Sequence, residues 1–90
     1  MDANQISEML IERKKIFVVE ILFRRAVNSL PSPNRKESEK FGRLISEYKQ
    51  HLKNKDFYMA FLSIIEAGNL VPARGGFWKD LERAAKTLKG

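Results

Sequence analysis

Proton transfer near neutral pH and metal chemistry rest on histidine, cysteine and clustered carboxylates, and this chain offers one histidine and no cysteine. The missing thiols exclude disulfide frameworks, thiolate zinc sites, iron–sulfur clusters and cysteine nucleophiles. His51 stands three residues after Tyr48, where a ring packed on Leu44 or Leu52 at the edge of an apolar stripe is the simplest role. Glu12 and Glu20 fall on the side of a helical wheel that also holds Val19, Phe23 and Val27. Eight residues of helix separate these carboxylates by about 12 Å, too far for a shared-proton dyad. Pairing with cations is expected instead, Glu20 with Arg24 one turn on and Glu12 with Lys15 or a basic residue of the second helix. There is no His-Glu-x-x-His, Gly-x-Ser-x-Gly, Walker loop or dinucleotide fingerprint. These absences point away from an enzyme and call for neither cofactor nor metal.

Two local features suit binding. In Ala73-Arg74-Gly75-Gly76-Phe77-Trp78-Lys79 the paired glycines precede a helix, so backbone N–H groups at the positive end of its dipole lie between two cations. That is a recipe for holding a phosphate or carboxylate, although plain capping is the commoner use of such glycines. Trp78 sits off the Leu81–Leu88 stripe and is expected to be partly exposed beside Arg74, the composition of a contact hot spot. Arg74, Phe77, Trp78 and Lys79 are therefore one candidate partner-binding rim. Ile6 and Leu10, with Met9 and Ile11, make the N-terminal turn apolar on several sides, which suits a homodimer or the docking of another protein.

Seventeen Lys and Arg against eleven Asp and Glu give a net charge of +6, which favours an anionic partner. Residues 31–55 hold most of the excess, with seven basic and three acidic residues. Arg35, Lys36, Lys40, Arg43, Lys49 and Lys53 are the candidate phosphate contacts. They point in several directions and lack interleaved aromatics, so they support sequence-independent backbone contact at most. A helix-turn-helix is not expected, because about eight to nine residues separate the expected third and fourth helices where that motif uses three or four, and the fourth sets Asp80 and Glu82 against Lys79, Arg83, Lys86 and Lys89.

The elements that must position these residues are helices. Met9, Ile16, Val19, Phe23, Val27 and Leu30 recur at helical steps over residues 3–30, and Pro31 and Pro33 end the run. A strand over Ile16–Phe23 competes through its β-branched residues, but strong helix formers continue on both sides. The second helix is expected over 33–53, with Pro33 in its first turn or with Asn34 and Glu37 in capping-box spacing. Asp56 starts the third, 56–67, which Gly68 ends in a left-handed conformation, and the fourth covers 77–88. The expected fold is all-α, a compact four-helix bundle-like single domain, with the third helix packed on all the others. At about 42 Å the first helix outruns its neighbours, so it either protrudes or breaks. The apolar run Ile16–Phe23 contains Glu20 and is bracketed by Lys14-Lys15 and Arg24-Arg25, which rules out a membrane span. Asp2 and Glu8, with no basic n-region, argue against a secretory leader, and a cytoplasmic location is expected.

Residues 56–90, DFYMAFLSIIEAGNLVPARGGFWKDLERAAKTLKG, resemble the tail of small bacterial helical proteins that include immunity proteins of toxin systems, which end in an "FW..L..AA" helix. The shared positions are mostly core ones: Phe61, Ile65, Phe77, Leu81, Ala84 and Ala85. The resemblance implies a non-catalytic protein that captures and blocks one toxin domain. The basic charge departs from inhibitors of basic nucleases, which are usually acidic, and implies a target with an acidic or neutral surface. The function expected from the sequence is thus a protein-interaction module, and the alternative is a basic nucleic-acid-associated regulator acting through residues 35–55.

Overall fold

A computed structural model describes the backbone over residues 3–89 and side chains from Arg13 to Lys89. Four helices follow in order, α1 (Ala3–Asn28), α2 (Ser38–Lys53), α3 (Phe57–Leu70) and α4 (Gly75–Lys89), with no strand among the described residues. The protein is an all-α, bundle-like domain.

Helix α1 is continuous through its β-branched stretch, because neither Gly nor Pro interrupts residues 3–30 and Val19, Leu22, Phe23 and Ala26 are buried on one face. It ends two residues earlier than the apolar spacing suggests, where the Ser29 hydroxyl donates to the Ala26 carbonyl at 2.8 Å ahead of the prolines. Helix α2 starts five residues later than Pro33. Asn34 is the reason: its side-chain oxygen accepts from the Glu37 N–H at 3.0 Å and holds residues 35–37 in a turn before the helix. After α2, Lys55 takes a left-handed φ of 61° and the Asp56 N–H donates back to the His51 carbonyl at 2.8 Å. That reversal aims Asp56 at the next helix, where its carboxylate accepts from the Met59 N–H at 3.2 Å, a cap worth about 1 kcal/mol.

Gly68 does not end α3. It lies buried within the last turn, in ordinary helical geometry, and the helix runs on to Leu70. Its smallness serves packing instead, since the Phe77 ring of α4 rests where a Cβ would stand. With α3 longer and α4 starting at Gly75, only residues 71–74 link them. The spacing objection to a helix-turn-helix therefore falls. The two acids of the helix are both engaged, Asp80 with Arg25 at 3.8 Å and Glu82 with Lys86 at 3.2 Å.

The helices pack as two pairs, α1 with α4 and α2 with α3, and α1 touches α3 between them. Helix α3 is therefore not packed equally on every neighbour as the sequence suggested; its broad apolar surface is shared between α2 and the central core. Val19, Leu22, Phe23 and Ala26 of α1, Tyr48 of α2, Ala60 and Ile64 of α3, and Phe77, Leu81 and Ala84 of α4 form that core. Phe23 joins the two pairs, with its ring edge-on to Tyr48 at 6.3 Å and tilted against Phe61 at 6.1 Å.

Arg25 meets Asp80 while Lys15 and Ile16 share a hollow with Thr87 and Leu88, so α1 and α4 run antiparallel. Helix α4 ends level with Lys15, and the first turn of α3 ends there too, since Tyr58 and Phe61 share a hollow with Leu88 and Lys89. Residues 3–14 of α1 consequently run about 18 Å beyond the rest. This overhang stretches the molecule to 55 × 25 × 16 Å and raises its radius of gyration to 14.8 Å, against about 12 Å for a chain of this length packed evenly. No helix among the described residues is long and apolar enough to cross a membrane.

Candidate protein-binding face

Phe17, Ile21, Arg24 and Asn28 follow at steps of four, three and four, so they line up as one ridge along α1. Val19, Leu22, Phe23 and Ala26 occupy the opposite side and are buried. The helix is therefore apolar on two sides over its middle turns, and only one of them is covered. Ile16, Phe17, Val18 and Ile21 stay exposed, Phe17 at 63 % of its full surface. Ile16, on the same helical repeat as Val19 and Phe23, is exposed because α4 ends beside it. The sequence held a signal for this face: an apolar run of eight residues is wider than the stripe a helix buries against one layer of neighbours.

The ridge leads into a groove. Its lining is Glu20, Arg24, Val27 and Asn28 of α1 with Tyr48, Lys49, Leu52 and Lys53 of α2, enclosing about 390 Å³. Val27, Leu52 and the Tyr48 ring supply the apolar walls, and the cations stand around them. Glu20 pairs with Lys55 at 3.5 Å, a partner delivered by the left-handed turn, and not with Arg24 as helical spacing suggested. Arg24, Lys49 and Lys53 enter no ion pair among the described residues. With Glu20 already neutralised, the groove carries surplus positive charge over an apolar base.

Burial raises the Tyr48 hydroxyl above its ordinary value of 10.0; nearby Arg24 opposes the shift and Glu20 adds to it. The neutral phenol is thus favoured by the fold. Its stabilisation is complete below the unfolded value and is lost as pH rises through the folded one. Urea midpoints are expected to fall more steeply above about pH 10 in the wild type than in Tyr48→Phe; equal slopes would place the alkaline loss elsewhere.

The candidate residues from the sequence are only partly gathered. Phe77 is 1 % exposed and belongs to the core, so it is not available to a partner. Trp78 packs edge-on against it with ring centroids 4.8 Å apart and keeps 37 % of its surface outside, flanked by the exposed Arg74 and Lys79. Gly75 and Gly76 form the exposed first turn of α4, and a Cβ on either would meet nothing within 4 Å. Ile6, Leu10 and Glu12 lie outside the described side chains. Arg35, Lys36, Lys40, Arg43, Lys49 and Lys53 are all exposed, yet they do not converge. Lys49 and Lys53 share the groove, whereas Lys40 lies near the other end of α2 in a hollow with Glu66, Asn69 and Leu70. His51 is a half-buried rim residue, and no group of three potential metal ligands occurs among the described residues.

No family model, curated protein or solved structure matches this chain. The residues behind the likeness to immunity proteins are largely internal here, with Phe77, Leu81 and Ala84 buried and Phe61, Ile65 and Ala85 half-buried. They account for helix packing, and any functional reading has to come from the ridge and the groove.

Proposed function

We propose that this chain is a non-catalytic helical module that binds a partner protein along the outer face of α1. One observation carries the reading: an exposed apolar ridge, Phe17 and Ile21, runs without interruption into a groove whose cations are unpaired among the described residues. Exposed aromatic and aliphatic side chains bordered by arginine are the composition of contact hot spots, while surface Lys alone keeps a protein soluble. The rim at Arg74, Trp78 and Lys79 is a second contact in this proposal. Blocking of the partner, as immunity proteins do, has the helical fold as its only support.

The test is affinity capture with the tagged chain, with and without nuclease, followed by binding measurements on the protein retained. Phe17→Ala is expected to weaken binding by about tenfold or more with its helical signal and melting temperature kept, because the side chain is outside the core. Unchanged affinity would remove the ridge, and unchanged affinity in Trp78→Ala would remove the second rim. Loss of every partner on nuclease treatment, with affinity falling linearly in log salt, would instead establish the nucleic-acid reading through residues 35–55.

A further inference from the structure

We propose that the segment received by this face is an acidic amphipathic helix of about four turns, lying along α1 from the level of Arg13 and Lys14 to that of Asn28. The inference rests on the protein-binding reading above and adds the chemistry of the partner.

Length follows from the ridge, Phe17 to Asn28, with the cations one turn before it, about 22 Å or four helical turns in all. Charge follows from its borders. Arg13 and Lys14 are exposed just before Phe17, Arg24 follows Ile21, and Lys49 and Lys53 stand across the groove from Arg24. A helix fitting this face places two apolar side chains one turn apart over Phe17 and Ile21. It carries acidic side chains a further turn out at both ends. The end over the groove gains most, since a carboxylate there meets three cations that no described acid neutralises, beside the apolar walls of Val27 and Leu52.

The same borders argue against a second copy. Two α1 helices laid ridge to ridge and antiparallel bring Arg13 and Lys14 of one level with Arg24 of the other, a like-charge arrangement at both ends. An anionic bilayer satisfies the ridge and leaves the groove unfilled, because a plane does not enter the trough between α1 and α2.

The experiment uses the full chain and two synthetic fourteen-residue helical peptides with the same apolar positions, one flanked by Glu and one by Lys. Vesicles of phosphatidylcholine with and without phosphatidylglycerol are titrated in parallel, and the oligomeric state is read by sedimentation. The Glu peptide is expected to bind at least tenfold more tightly than the Lys peptide, and the preference is expected to invert in the R24E/K49E/K53E variant. Phe17→Ala should weaken both peptides without changing which is preferred. Equal binding of the two peptides, a preference that survives the charge reversal, a salt-resistant dimer that covers Phe17, or binding to anionic vesicles alone would each overturn the proposal. Equal binding of both peptides that is still lost in Phe17→Ala would overturn only the acidic partner and leave the protein-binding face in place.

Discussion

Phe23→Ala is expected to remove about 3–5 kcal/mol of folding stability, the largest loss from any single truncation in this protein. The side chain is fully buried, and its ring touches Tyr48 of α2 and Phe61 of α3 from a position on α1. The Phe77 ring of α4, against Gly68 of α3, is another aromatic contact between the pairs. Truncating Phe23 opens the seam between the two pairs from the α1 side, against Tyr48 and Phe61. A chain of this length holds about 5–13 kcal/mol in all, so the variant sits close to the unfolding threshold at 37 °C. Thermal melting followed by circular dichroism should show a midpoint lower by roughly 20 °C. A shift of only a few degrees would mean that other contacts between the pairs, such as Phe77 on Gly68, and not this ring, hold them together.

Gly68→Ala comes second, and its sign is set by a contest. In a helix interior, exchanging Gly for Ala gains close to 1 kcal/mol of propensity. Here the added methyl would stand inside the van der Waals surface of the buried Phe77 ring, which has no free volume to retreat into. Overpacking of this kind costs about 1–3 kcal/mol and, with a rigid aromatic ring as the obstacle, sits at the upper end. A net loss of about 2 kcal/mol is expected from urea unfolding. Phe77→Leu in the same chain should recover part of it, so that the double variant is less destabilised than the sum of the two single ones. Strict additivity would show that the two residues do not share the space.

The all-α class, the number of helices and most buried positions were legible in the sequence, because helical periodicity and proline breaks are local signals. Leu44 and Tyr48, and Leu81 and Ala84, fell on the right stripes for that reason. What was not legible depended on contacts between distant residues. Gly68 reads as a helix terminator until the Phe77 ring is placed against it. Glu20 reads as a partner for Arg24 until the left-handed Lys55 turn brings a different cation within reach. Asn34 looked like one capping candidate among several, and only the turn it holds shows why α2 waits until Ser38. The exposed apolar face of α1 was missed in the same way. A helix apolar on two sides looks simply hydrophobic, and which side is left uncovered is decided by where α4 and α2 lie.

The pairing of α1 with α4 also fixes an order of events in folding. Helices α2 and α3 are joined by a short turn and meet through contacts local in sequence, so their docking closes a small loop and is fast. Helices α1 and α4 are the two ends of the chain, and their docking must close a loop that contains the other pair. That seam forms late, so weakening it, for instance at Leu81, should accelerate unfolding more than it slows folding. Native-state hydrogen exchange should accordingly show α4 opening before α2 and α3.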